Sequence, residues 1–190
     1  MSAQEINAES APRKRYYGKY RGTVIENVDP MQIGRVLAQV PDVQGMTPTS
    51  WAMPCVPAAG IQSGCFIVPG IGSQVWIEFE QGDPDYPIWT GGFWGTPADV
   101  PLFALIPPAV PPPPVGQNIV LQTAGQNMLA VTDGPPTPAT GGIVLKSAAG
   151  AMLVVNDSGI YITAGPGLAS IFLVGPTVAI NETALTITGP

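Results

Sequence analysis

Ile119-Val-Leu-Gln-Thr-Ala-Gly-Gln-Asn-Met-Leu-Ala-Val-Thr-Asp133 reappears 24 residues later as Ile143-Val-Leu-Lys-Ser-Ala-Ala-Gly-Ala-Met-Leu-Val-Val-Asn-Asp157, with eight identities in fifteen positions. Further on, Val155-Asn-Asp-Ser-Gly-Ile-Tyr-Ile-Thr163 recurs as Ile180-Asn-Glu-Thr-Ala-Leu-Thr-Ile-Thr188 at an offset of 25. Self-similarity at a fixed period is the mark of a stacked architecture. Because 24 is three times eight, residues 119–190 divide into nine octads, many bounded by Gly or Pro, each long enough for one short strand and a turn. About 70 residues in such strands cannot close a core alone, so the repeat must stack against copies of itself. Three chains about one axis meet that need, each supplying one wall of a prism.

Working outward, residues 97–117 are proline-rich and end in the run Pro111 to Pro114, a composition that predicts an extended, stiff spacer. Residues 16–96 read as a strand-rich block. Runs over 20–28 and 33–40 flank Asp29-Pro30-Met31-Gln32, which is turn chemistry, and in the second run Gly34, Val36, Ala38 and Val40 share one face. Val75-Trp76-Ile77-Glu78-Phe79-Glu80 alternates, with Val75, Ile77 and Phe79 inward. Several short strands without helical periodicity predict a small closed barrel such as an OB-fold. Residues 1–15 are polar and read as a flexible arm, and residues 118–190 as the repeat domain.

Gly and Pro number 23 each among 190 residues, while 45% of residues are hydrophobic and 11% charged, against roughly 25% charged in typical soluble domains. The chain is ordered, rich in turns and short of polar cover, which points to oligomerisation. The net charge is −6, and six of the seven bases fall between Arg13 and Arg35. A nucleic-acid partner needs bases along its binding surface, so none is expected. There is no histidine, which removes the commonest general base and metal ligand together. Cys55 and Cys65 are too few for a four-ligand zinc site; they close one disulfide or, as a cytosolic compartment favours, remain free and buried. The N-terminal stretch lacks the apolar segment of a secretory signal, and no apolar run is long enough to span a bilayer.

Candidate chemistry is sparse. Glu78 and Glu80 are two carboxylates on one strand face, but they lie on the outward side of an alternating strand and nothing around them forms a cleft. Asp83 and Asp85 lack the further spaced oxygens of a calcium loop and read as a turn. Gly70-Ile-Gly72 is not followed by a helix signal, so it is no phosphate cradle. Trp51, Trp76, Trp89 and Trp94 lack interleaved bases and read as core or interface anchors rather than stacking platforms. Neither an enzyme, a cofactor nor a metal is expected.

The block 16–95 resembles the OB-fold domain of phage baseplate assembly protein V and VgrG-like central spike proteins of contractile injection machines. The resemblance rests on Gly22-Thr-Val-Ile-Glu-Asn-Val-Asp-Pro30, Ile33-Gly-Arg-Val36 and Trp51-Ala-Met-Pro54. It rests above all on the stretch from Val68 to Gly91, which follows P-x-x-G-x-x-V-x-V-x-F-x-x-G-D-P-x-x-P-I-x-x-G. The repeat resembles the triple-stranded β-helix that follows this domain in the same proteins. The resemblance implies an all-β chain: an OB-fold barrel, then a trimeric β-helix needle.

It further implies a structural homotrimer that pierces the target cell envelope on sheath contraction. Such a protein works in a virion tail baseplate or injection particle and is assembled in the bacterial cytoplasm. The fused hub domain of VgrG-type chains is missing, which implies a separate trimeric hub protein; the lysozyme insertion and the tip histidines of some phage spikes are missing too. A separate PAAR-like tip protein is therefore expected. The basic cluster with its aromatic neighbours, Arg13, Lys14, Arg15, Tyr16 and Tyr17, is the expected hub contact. Leu185, Thr186, Ile187, Thr188, Gly189 and Pro190 are the expected seat of the tip protein. The alternative is a receptor-binding fibre or adhesin module.

Overall fold

Alternating burial builds the N-terminal half of the chain. The computed structural model describes residues 13–105, 118–133, 141–181 and 184–188, and the chain divides into two units, Met1–Gly95 and Thr96–Pro190. The first holds β1 (Tyr20–Glu26), β2 (Leu37–Gln39), the single helical turn α1 (Pro41–Gln44) and β3 (Met53–Pro54). A small hairpin of β4 (Ala59–Gly60) and β5 (Ser63–Gly64) follows, then β6 (Gln74–Phe79) and β7 (Pro87–Phe93). Five of these strands form one curled sheet in the order β2-β1-β6-β7-β3. Register shifts between Val24 and Glu26 and between Val75 and Ile77 accompany the curl. A bridge between Val36 and Ala52 joins the two margins of the sheet, through N–H to O distances of 3.2 and 2.8 Å, and this is the closure of an OB-type barrel. Inside lie Val24, Val36, Ala38, Val40, Ala52, Val75, Ile77, Phe79 and Trp89. The expected inward faces of 34–40 and 75–79 are the faces found.

The connection after β1 is longer than the four-residue turn expected, because β1 ends at Glu26 and β2 begins only at Leu37. Asp29 organises it. Its carboxylate accepts the backbone N–H groups of Met31, Ile33 and Arg35, and the Arg35 guanidinium donates to it at 2.6 and 3.0 Å. With so many donors satisfied by one buried side chain, the loop needs no strand ladder. Arg35 lies over the Trp51 ring, and the indole N–H of Trp89 donates to the Gly34 carbonyl at 3.0 Å. Trp89 is therefore core, whereas Trp94 is exposed. Trp76 packs beside Phe93 with Arg21 across both rings. Both cysteines are free as expected, but neither is buried: Cys55 is exposed and Cys65 half-buried.

The second unit is a single meander. It contains β8 (Ile119–Gln122), β9 (Met128–Thr132), β10 (Gly142–Lys146), β11 (Met152–Asn156), β12 (Gly159–Thr163), β13 (Ser170–Val174), β14 (Thr177–Ile180) and β15 (Leu185–Thr188). These eight pair antiparallel in chain order. Among the described residues the nine octads give eight strands, with β9 paired directly to β10; most of the third octad, 135–142, lies outside the described residues. The repeat is visible in the turns. Thr123 and Ser147, 24 residues apart, each accept through the side-chain oxygen the N–H of the residue four places on. Gly159, at φ 152°, closes the β11–β12 hairpin where a Cβ would meet the Leu173 carbonyl oxygen, so only glycine lets the third strand approach.

The proline-rich segment is not extended where it is described. Pro97–Asp99 and Leu102–Leu105 form two 3-10 turns, and Phe103 packs against the sheet of the second unit. Pro97 and Pro101 stand at turn starts, where a fixed φ and a missing N–H cost nothing. The remainder of the expected spacer, 106–117, lies outside the described residues.

Candidate interaction surfaces

Strand register converts alternation in eight strands into two unbroken rows. Across the sheet, Ile119, Val131, Ile143, Val155, Ile160, Leu173, Val178 and Ile187 stand opposite one another in turn. Leu121, Leu129, Leu145, Leu153, Ile162, Ile171, Ile180 and Leu185 form the second row. Every rung is Val, Leu or Ile, and no polar residue interrupts either row. Most rungs are exposed, from 37% at Ile160 to 63% at Ile119. Seven strand spacings of about 4.8 Å make each row about 34 Å long. A soluble chain rarely leaves a continuous apolar stripe of this extent in water, so this face is an interface. Its β-branched and leucine side chains suit packing against a like surface and offer no group for chemistry.

The arm residues are drawn back onto the first unit. Arg13 donates to Asp85 at 2.7 Å and lies 3.5 Å from Asp83, and Arg15 donates to Asp83 at 3.1 Å. The Asp85 carboxylate, with Asp83 behind it, holds the Arg13 pKa above its ordinary value. Lys14 sits over the Tyr16 ring, which packs against Tyr20 and Phe79. The Tyr16 N–H donates to the Gly82 carbonyl at 2.8 Å. Gly82, at φ 77°, lies under the Tyr17 ring, whose nearest atoms would be 3.0 Å from a Cβ at that position, and Tyr17 itself is 73% exposed. The Gly-Asp-Pro-Asp turn is therefore the dock of the arm. Residues 1–12 of the expected arm lie outside the described residues.

At the other end of the chain, Leu185 and Ile187 are exposed, but they are also the last rungs of the two rows. Thr186 and Thr188 pair through the backbone with Ala179 and Thr177. β15 is an edge strand. Gly189 and Pro190, the remainder of the expected tip seat, lie outside the described residues. Glu78 pairs with Lys19 at 2.8 Å, and Glu80 opens a short 3-10 turn, so the two carboxylates do not share one strand face as expected. Among the described residues no cluster of three metal-ligating side chains occurs, and no helix is long and apolar enough to cross a membrane. What the residue types alone missed is the Asp29–Arg35 clamp; its signal was present in the Asp-Pro and Gly-Arg-Val elements six residues apart.

The curled sheet and the meander each coincide with a known domain. The Type VI secretion system/phage-baseplate injector OB domain matches residues 20–94. The phage baseplate V C-terminal trimerisation domain matches residues 118–186, the segment that carries the aliphatic rows. No curated protein matches the chain. With a baseplate OB domain followed by a baseplate V trimerisation domain, the chain belongs to the baseplate V family of phage and type VI secretion injectors, whose members are structural baseplate proteins.

Proposed function

We propose that three copies pack their aliphatic rows together about one axis and serve as the central spike of a contractile tail or injection-system baseplate. The unbroken pair of rows supports this reading most strongly. A surface that is apolar across eight consecutive strands, and built from one residue class, fits like surfaces on a common axis better than it fits a receptor. The spike is driven through the target cell envelope on sheath contraction and works by shape and stiffness, without chemistry. Eight strands give a length of about 34 Å, shorter than nine would, and close to the roughly 30 Å of a bilayer's hydrocarbon core.

Two attachments complete the proposal. A separate trimeric hub protein binds the first unit near the docked arm. There Tyr17 is the exposed anchor and Arg13, Lys14, Arg15 and Tyr16 hold it in place. A PAAR-like tip protein pairs with the free backbone edge of β15 and covers the ends of both rows at Leu185 and Ile187, since an open strand edge invites a partner. Assembly takes place in the bacterial cytoplasm, before the particle is complete.

Light scattering of the purified chain should give three times 19.7 kDa. Particles assembled without the chain should still adsorb to cells yet fail to breach them. If the isolated trimer instead competes with intact particles for adsorption, the adhesin reading replaces this one.

A further inference from the structure

From Val43 to Ile77 the sequence carries no charged residue; the charges of the first unit all lie before or after this run. Within it, β4 and β5 form a two-stranded sheet of their own, separate from the five-stranded one. The ribbon is held by the pairs Ala59 with Gly64 and Gly60 with Ser63, and by the Cys65 N–H, which donates to the Ala58 carbonyl at 2.9 Å. Every residue from Pro57 to Gly64 is exposed, so the ribbon has no core beneath it. A lone two-stranded hairpin is marginal in water, and this one needs support from outside its own strands.

Its tip runs against turn chemistry. Ile61 and Gln62 make the two-residue turn, with Gln62 at φ 54°, and Ile61 is 97% exposed. Such positions favour Gly, Asn, Asp or Ser, and nothing in the turn requires a branched aliphatic side chain. The same unit carries a second apolar area. The Asn27 side-chain N–H donates to the Pro69 carbonyl at 3.1 Å, the Gly72 N–H donates to the Val24 carbonyl at 2.8 Å, and a Cβ on Gly34 would stand 3.3 Å from the Phe66 ring. These contacts join the loop after β1 to the loop before β6, and the joined loops expose Val28, Met31, Phe66, Ile67 and Ile71. The charged residues within them, Asp29 and Arg35, neutralise each other.

We infer that the β4–β5 ribbon is a clasp between copies, in which Ile61 of one chain seats on the exposed apolar loops of the next. The occupant is a second copy because residues 118–186 match a trimerisation domain, which keeps three first units in one particle at high effective concentration. A tip that differs from its seat makes a head-to-tail contact, and three such contacts close into a ring. Each chain carries a net charge of −6, and an uncharged tip on a charge-compensated seat lets identical acidic chains meet there without repulsion. The inference rests on the trimer proposed above and adds a contact outside the aliphatic rows.

The test uses the purified full chain. With a photo-reactive benzoylphenylalanine in place of Ile61, irradiation should give covalent dimers and trimers on a denaturing gel, joined to peptides from 27–36 or 65–73 of another copy, while the same label in place of Tyr86 gives monomers. Ile61→Asp removes no core contact in a single chain, so it should sediment as wild type, yet exchange of the Cys65 N–H should quicken several-fold; Ile61→Val should leave that exchange unchanged. An intact trimer that gives no cross-links from position 61, with equal Cys65 exchange in wild type and Ile61→Asp, overturns the clasp alone. Cross-links that form only in assembled particles, and to another protein, assign the tip to that protein and overturn it too. So does an absence of cross-links with wild type, but not Ile61→Asp, sedimenting with phosphatidylcholine vesicles, which makes the tip a lipid contact. A wild-type monomer overturns the trimer and the clasp together.

Discussion

Ile143 is the third of the eight rungs of the first row, opposite Val131 on one side and Val155 on the other, and is 49% exposed in the single chain. Full burial of such a side chain is worth about 1.5–3 kcal/mol. Half of it is already covered by its own sheet, so about 1 kcal/mol per chain awaits the partners. Ile143→Ala loses that burial and also leaves a gap. Large-to-small changes in cores cost roughly 2–5 kcal/mol, of which we assign about 1–2 to assembly because the site is half open before it. Symmetry repeats the loss in three chains, giving about 3–6 kcal/mol per trimer. At 1.4 kcal/mol per decade, dissociation should be easier by about 10² to 10⁴. Ile143→Asp is more severe, since three unpaired carboxylates would enter an apolar axis at several kcal/mol each. Sedimentation velocity across a dilution series from micromolar to nanomolar should show the Ala variant dissociating earlier than wild type and the Asp variant monomeric throughout. Lys146→Ala, exposed on the opposite face, should not move. If the Asp variant sediments at three times 19.7 kDa over the whole series, the rows are not the interface.

The remaining expectations concern single positions. Hydrogen bonds from Arg35, reinforced by the N–H groups of Met31, Ile33 and Arg35 and opposed by burial, hold the Asp29 carboxyl well below the usual carboxylate range. A lowered folded pKa means its stabilisation is complete above the unfolded value, about 4, and is lost as pH falls towards the folded one. Trp51 fluorescence should therefore report a first unit weakening below about pH 4, and Asp29→Asn should lower stability at neutral pH while flattening that acid dependence; an unchanged acid limb refutes the clamp. Trp89→Phe strands the Gly34 carbonyl in the core and should cost about 1–3 kcal/mol in denaturant unfolding of the first unit, with no change in subunit number. Gly159→Ala places a Cβ against the Leu173 carbonyl oxygen and should lower the melting temperature of the second unit by an amount matching about 1–3 kcal/mol; a wild-type melt would show that the hairpin adjusts. Tyr17→Ala should weaken co-purification with the hub while leaving the trimer intact, and full retention would remove Tyr17 from the contact.

The parts of the fold that a period can carry were legible. Val75, Ile77 and Phe79 alternate so sharply that their face follows from sequence, and the 24-residue repeat predicts short strands separated by turns, which the structure expresses in the equivalent hydroxyl bonds at Thr123 and Ser147. A closed barrel was expected, but the place of closure was not legible, because it rests on isolated bridges, Val36 to Ala52 and Gln39 to Pro48, that leave no periodic pattern. The ion pairs of Arg13 and Arg15 with Asp83 and Asp85 join segments about 70 residues apart, beyond any local signal. Residues 97–105, part of the expected extended spacer 97–117, form turns instead, because proline content predicts extension only where proline position does not start a turn. Thr96-Pro97-Ala98-Asp99 already carried the spacing of a capping box, which marks a turn start whatever the proline count. The rows themselves were visible as a stripe, but their continuity depends on register, which only strand pairing supplies.

A single sheet makes a poor spike, and this gives the rows a mechanical meaning in the proposed assembly. Compression along the direction in which β8 to β15 follow one another is borne by seven sets of inter-strand hydrogen bonds in series. One wall loaded that way bends across its thin dimension long before those bonds fail. Three walls closed about a packed axis resist bending in every direction, because bending any wall must open or compress the interior the rows fill, and protein interiors are nearly incompressible. Rung chemistry follows from this requirement. Branched side chains with few rotamers pack densely at every level, and one polar rung would admit water where stiffness depends on contact.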